Sequence, residues 1–401
     1  MKTLIKLKTT KLRDKKENEI SKNIPLDYLY NFTRNFELTG AIWVLYMIYR
    51  GLPLWQVGIA EGAYHITSLI FEVPSGAWAD IYGRKRLMIL GRACSAISSI
   101  ICLFSTNLLG FCIAFVFTAL GNNMNSGSEE ALVFDSLKQA GNESQYLKVN
   151  SRLNVIIEVS QGLATFLGGA LAEISFEFCY LASLIIVGLS IIPCFMLQEP
   201  NIHQKESKER ISLKEHYLQS FRVIKENRAV LNILIYYPIV FSFHTVIYFY
   251  GQQYFSLYGL SKVEISLIML LAGAGGIAGA LSCEMILSHM KNYTKYVASI
   301  LLGLSIVLIS INHVVISIIA FMIMNYTNSL LYPIQSNSLN QIIPSNQRAT
   351  IISVGSMMFS VAMIALFPLT GLLADVIGLN ITFLGLGIML ILFTGLLVRK
   401  R

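Results

Sequence analysis

A chain of 401 residues that is 54% hydrophobic and 13% charged carries about half the charged complement of a soluble domain. That argues against an ordinary two-domain soluble enzyme and leaves a polytopic membrane protein or an aggregating sequence. The formal net charge of +8 does not indicate a nucleic-acid partner, because Lys and Arg fall in short gaps between long apolar runs rather than on one soluble face.

Residues 1–25 read as a basic cytoplasmic tail. The cationic stretch is too long for a signal peptide, and no small-residue cleavage site follows a short apolar core. A membrane-spanning helix takes ~20 mostly apolar residues, and the apolar runs lack the alternation of barrel strands. Twelve spans are therefore predicted. The first six lie near 26–49, 57–79, 87–106, 109–136, 147–171 and 177–197. The others lie near 229–255, 263–287, 295–313, 315–340, 349–372 and 378–398. The long polar gap over 198–228 reads as a cytoplasmic linker between six-helix halves at 26–197 and 229–398, with 211–228 a candidate surface helix. Residues 399–401 close the chain as a second cytoplasmic tail. The fold class is all-α and integral to the membrane.

Lys and Arg fix the orientation. They concentrate in the N-terminal tail, in the even-numbered gaps (Arg84, Lys85 and Arg86; Lys138 and Lys148; Lys205 through Arg228; Lys291 and Lys295; Arg348) and at the C-terminus, while the odd gaps offer only Arg50 and Lys262. Both termini are expected in the cytoplasm, as an even number of spans also requires. Cys94, Cys102, Cys112, Cys179, Cys194 and Cys283 fall inside spans without CxxC spacing, so they read as reduced core residues. A shift of 202 residues places Asp135-Ser136-Leu137 on Asn337-Ser338-Leu339 and Gly169-Ala-Leu-Ala-Glu173 on Gly371-Leu-Leu-Ala-Asp375. Each half then has the same helix order, a parallel repeat characteristic of transporters.

At the end of span two the sequence reads Gly76-Ala-Trp-Ala-Asp80-Ile-Tyr-Gly83-Arg84-Lys85-Arg86. This resembles the G-x-x-x-D-x-x-G-R-[KR] signature of the major facilitator superfamily, in particular its 12-helix drug/proton antiporter branch. The resemblance implies two parallel six-helix pseudo-repeats and a gating loop that holds the halves together when the cavity opens outward. Gly76 would let helices approach closely, Gly83 would make a turn, Asp80 would face a helix N-terminus or a cation, and Arg84 would pair with Asp135. Two antiporter stretches are degraded. In span five only Gly168-Gly169 remains of G-x-x-x-G-P-x-x-G-G, and in span four Asn123-Met-Asn-Ser126-Gly127 lacks the arginine of R-x-x-Q-G.

Ionisable groups inside spans are costly and are functional candidates by default. Span one holds Arg34 and Glu37, three residues apart on neighbouring positions of one face. In span two Glu61 and Glu72 are eleven residues apart and so return to within about 20° of one face, with His65 close to the same stripe. Span five places Glu158 near the midplane. Glu37, Glu61, His65, Glu72 and Glu158 are the candidates for proton coupling. Arg92 and Arg152 lie nearer the cytoplasm and are expected to be anchors. The second half offers neutral polar and aromatic groups instead: Tyr236, His244, Tyr248 and Gln252 in span seven, and Asn325, Asn328, Tyr332 and Gln335 on one face of span ten. With Arg34 and Asn123 these are the expected substrate contacts, since the resemblance implies that spans one, four, seven and ten line the cavity.

Gly273-Ala-Gly275-Gly276-Ile-Ala278 matches a relaxed dinucleotide fingerprint, but it lies in an apolar helical run with no preceding strand. No Walker lysine motif, HExxH or G-x-S-x-G occurs. The sequence thus reads as a non-enzymatic, monomeric multi-pass protein of the cell membrane, with no cofactor, metal or nucleic-acid partner. The expected function is proton-coupled export of amphipathic small molecules. An uptake carrier or uniporter for a polar solute is the first alternative, and a ligand-binding receptor or scaffold the second.

Overall fold

The computed structural model describes residues 20, 22–200, 225, 227–343 and 348–399, and of Asp80, Leu147, Asn292, Arg348 and Ala349 only the backbone. The tail through residue 19, most of the expected linker with its surface helix, and the Asp80 carboxylate lie outside the described residues.

Every predicted run is helical, and the ends agree with the sequence reading to within a few residues. The first run is split into α1 (Asn23–Asn35) and α2 (Trp43–Tyr49), followed by α3 (Leu54–Tyr82) and α4 (Arg84–Phe104). The fourth run is split into α5 (Leu108–Asn125) and α6 (Ser128–Gln139), then come α7 (Tyr146–Ile174) and α8 (Phe176–Met196). The later half contains α9 (Arg228–Leu257), α10 (Lys262–Met290), α11 (Thr294–Ile309), α12 (Val314–Ile342), α13 (Arg348–Ile377) and α14 (Leu379–Arg399). Among the described residues, nine helical segments are long and apolar enough to cross a membrane. The other runs fall short for visible reasons. The first is broken, α3 carries Glu61, His65, Glu72 and Asp80, and α11 has 16 residues.

The exterior is apolar. Leu281 is 80% exposed, and Phe104, Ile174 and Val376 are similarly open, which suits a surface facing lipid chains rather than water.

The halves before residue 200 and after 227 are joined at one end of the molecule. There Asp375, at the end of α13, accepts hydrogen bonds from the Leu54 and Trp55 amides at 3.1 and 2.8 Å, capping α3. Glu173, its equivalent under the 202-residue shift, accepts from the Lys262 amide at 2.8 Å and caps α10. A carboxylate at a helix N-terminus satisfies free amides and complements the helix dipole. The paired glycines also match. A Cβ on Gly371 would lie 2.3 Å from Leu54 O, and one on Gly169 would lie 2.2 Å from Ser266 Oγ. Among the described residues, hydrogen bonds between the halves run from this end only as far as the middle, where His65 Nδ1 lies 3.3 Å from Ser360 Oγ.

Candidate functional site

The site is organised by the break in the first run. Between α1 and α2 the backbone leaves the helix at Phe36 (φ −79°, ψ 65°), freeing polar groups that a bilayer cannot satisfy. Neighbouring helices satisfy them. Gln252 on α9 donates to Gly40 O at 3.1 Å and accepts from the Val44 amide at 3.2 Å. Cys179 Sγ lies 3.7 Å from Leu38 O. Gly168 lets α7 approach so closely that a Cβ there would sit 1.9 Å from Leu38 O. Interrupted membrane helices of this kind are where transporters place binding sites. Glu37 lies in the interruption.

Beside the break is a cavity of about 580 Å³. Its lining includes five ionisable groups: Arg34, Glu37, Glu61, His65 and Arg92. Aromatic rings line it as well, with Trp43, Tyr248, Phe249 and Phe359; Trp43 meets Phe249 edge-on at 5.2 Å, and Phe359 stands beside His65. Arg34 pairs with Glu129 at 2.7 Å, and Glu61 with His65 Nε2 at 3.5 Å. His65 also reaches Ser360, so this pair touches the opposite half. Arg92 Nε donates to Ser190 Oγ at 2.7 Å. Tyr64 accepts from Asn122 at 3.1 Å. A second cavity of about 370 Å³ lies in the later half and is lined by Asn328, Tyr332 and Gln335. Thr245 and Phe359 line both cavities.

The loop after α3 is a separate unit at the other end of the molecule. Gly83 has φ +95°, a conformation that favours glycine. Arg84 forms an ion pair with Asp135. The Arg84 and Lys85 amides donate to the Glu199 carboxylate at 2.9 and 2.8 Å, and Lys85 Nζ reaches Phe195 O at 2.8 Å. Gly76 does not serve a close helix contact in this conformation. Among the described residues, no atom from a neighbouring element lies within 4 Å of where its Cβ would be, and the cross-half hydrogen bonds of those residues lie nearer the joined end.

The profile of the Major Facilitator Superfamily matches residues 31–311. The chain belongs to that superfamily. Among curated relatives it is similar to the MFS-type transporter YxaM of Bacillus subtilis, 22% identical over 88% of each chain. It is also similar to the MFS-type transporter MJ1560 of Methanocaldococcus jannaschii, 21% identical over 90% of this chain and 93% of the relative. Among solved structures it resembles a mutant of the nucleoside transporter NupG, with a TM-score of 0.79 at 13% identity, covering 93% of this chain and 98% of the other. A bacterial homologue of the human lysosomal transporter Spinster, inward-facing and unoccupied, gives 0.74 at 14% identity, covering 94% and 95%. The fold is that of a multi-pass membrane transporter.

In this major facilitator the expected site residues divide. Arg34, Glu37, Glu61, His65 and Tyr248 come together in the first cavity, and Asn328, Tyr332 and Gln335 in the second. Others are engaged in packing. Asn123 exchanges hydrogen bonds with Ser68, and its neighbour Asn122 takes the place at the cavity. Tyr236 donates to Ser299 at 2.7 Å, beside α11. His244 bonds Asn325 at 3.2 Å. Gln252 is fully buried against the break. Glu72 is half-buried and Glu158 exposed, both outside the first cavity. Arg92, expected as an anchor, lines the cavity instead. Trp43 and Phe249 carried no sequence signal beyond aromatic identity. Glu199 carried none at all, because its role is set by a contact with a loop more than a hundred residues earlier.

Proposed function

We propose that this major facilitator is a secondary transporter of the drug/proton antiporter type, exporting amphipathic, drug- or antibiotic-like molecules from the cell by alternating access. The observation that carries the reading is the first cavity, whose lining combines ionisable groups with aromatic rings. Such a lining suits a solute with a polar end and a flat apolar body. Twelve crossings and two rocking six-helix halves follow from the predicted spans, and both termini lie in the cytoplasm by the distribution of Lys and Arg. The joined end is then extracellular, and the conformation opens inward. The Gly83-Arg84-Lys85 loop with Asp135 belongs to the gate that closes in the opposite state.

Protons enter through the Glu61–His65 pair, which sits at the cavity and contacts the other half through Ser360. Glu72 and Glu158 relay them towards the cytoplasm. The protein works as a monomer. The test is to express it in a drug-sensitive host and measure tolerance across a panel of amphipathic compounds. Raised tolerance that a protonophore abolishes supports the reading, and unchanged tolerance to every compound counts against export.

Uptake or uniport of a polar solute is the second reading. The degraded antiporter stretches favour it, as do the hydroxyls and amides of Ser95, Ser99, Thr118, Asn122 and Gln161 around the cavity. Counterflow of labelled solute without any ion gradient would mark that case.

A further inference from the structure

Not all of the ionisable groups at the first cavity touch a described counter-charge. Arg34 has Glu129 and Glu61 has His65. Arg92 and Glu37 remain. Arg92 is the ninth residue of α4, about 12 Å from its start at 1.5 Å per residue, and only 5% exposed. Its sole hydrogen-bond partner among the described residues is the Ser190 hydroxyl, and no described carboxylate lies within 4 Å of its guanidinium. Glu37 is open to the cavity, and among the described residues no cation lies within 4 Å of its carboxylate. A charge held at this depth without a contacting counter-ion is expensive. One cation and one anion, near each other but neither in contact with a described counter-charge, therefore line the same chamber.

We propose that the first cavity takes a zwitterionic solute, its carboxylate docking on Arg92 and its ammonium group on Glu37. This rests on the transporter reading above and narrows its substrate class. The planar guanidinium fork fits a carboxylate with two parallel hydrogen bonds. The apolar body of the solute lies against Trp43 and Phe249. A zwitterion adds no net charge to the membrane interior while giving each protein charge its partner. A simple cation or anion would leave one of the two unmatched. Glu37 thereby serves the substrate, and the Glu61–His65 pair is left to the proton.

The test uses the purified full chain and two aromatic skeletons, phenylalanine and norfloxacin. Each is supplied as the zwitterion, the ester (cation), the N-acetyl form (anion) and the doubly blocked neutral form, and binding is read by thermal stabilisation in detergent. The zwitterion is expected to bind roughly tenfold or more tightly than the ester or the N-acetyl form, the size of one lost charge-assisted contact. Arg92→Gln should erase the zwitterion's advantage over its ester, and Glu37→Gln its advantage over the N-acetyl form. Arg92→Lys should restore part of the first. Equal stabilisation by all four forms, or none by the zwitterion in either series, overturns the proposal, and neither result depends on a variant that folds. Flux of neutral or cationic solutes in proteoliposomes would overturn the zwitterion assignment while leaving the transporter reading intact. Zwitterion binding without any flux would do the reverse.

Discussion

The two cavities share Thr245 and Phe359, yet the rest of their linings differ in kind. The first is bordered by Arg34, Glu37, Glu61, His65 and Arg92, the second by Asn328, Tyr332 and Gln335 among apolar side chains. The scaffold around them does not differ in this way. Glu173 and Asp375 cap facing helices in the same manner, and Gly169 and Gly371 each admit a close approach. The repeat has therefore kept its joints and let its chemistry diverge. Charge in a bilayer is costly in either half, so its confinement to one half marks where ions and polar groups are handled.

The joints offer the harshest way to break that comparison. Gly169→Ala drives a methyl against Ser266 Oγ and Lys262 O, and Gly371→Ala drives one into Leu54 O, where backbone cannot yield as a side chain can. Each should cost on the order of 3 kcal/mol from overpacking, seen as loss of folded protein in thermal unfolding. Gly273→Ala, with nothing within 4 Å, should unfold like the parent. Similar losses at Gly169 and Gly371 would confirm joints of equal weight in both halves.

The chemical side of the comparison comes next. Glu61→Gln and His65→Ala should each lower gradient-driven flux by roughly tenfold, the scale of one charge-assisted contact, while solute counterflow persists. Equal losses in flux and counterflow would place these residues in substrate binding instead. A smaller effect is expected at the capping carboxylates. Asp375→Asn and Glu173→Gln should each weaken the joined end by about 1 kcal/mol. Spin-label distances across that end should then show a larger separated population, and the two variants should shift it in the same direction. The mildest change belongs to the second cavity. Gln335→Ala and Asn328→Ala should alter solute preference by roughly threefold or less, as neutral hydrogen bonds do, without touching proton dependence.

Much of the fold was legible because a bilayer forces its signal into local sequence. Apolar runs of helical length located every helix, and the 202-residue shift found the joints at Glu173 and Asp375. Span two's stripe gave Glu61 and His65 through helical spacing alone. The interruption after Asn35 was not legible, since residues 36–42 are as apolar as a helix and their backbone is satisfied by Gln252 and Cys179 from distant spans. Gln252, Asn123 and Tyr236 were read as substrate contacts because they are polar groups in a membrane, and each proved to be bound by a neighbouring helix. Arg92 went the other way. Distance along the helix suggested an anchor, but among the described residues no carboxylate lies within 4 Å of it.

The most direct test of the account is flux in proteoliposomes with an imposed pH gradient, comparing the parent with the double variant Glu61→Gln, Glu72→Gln. The account expects the parent to move an amphipathic solute against protons, to stop when the gradient is collapsed, and the double variant to lose that drive. Solute flux indifferent both to the gradient and to the double variant would contradict it.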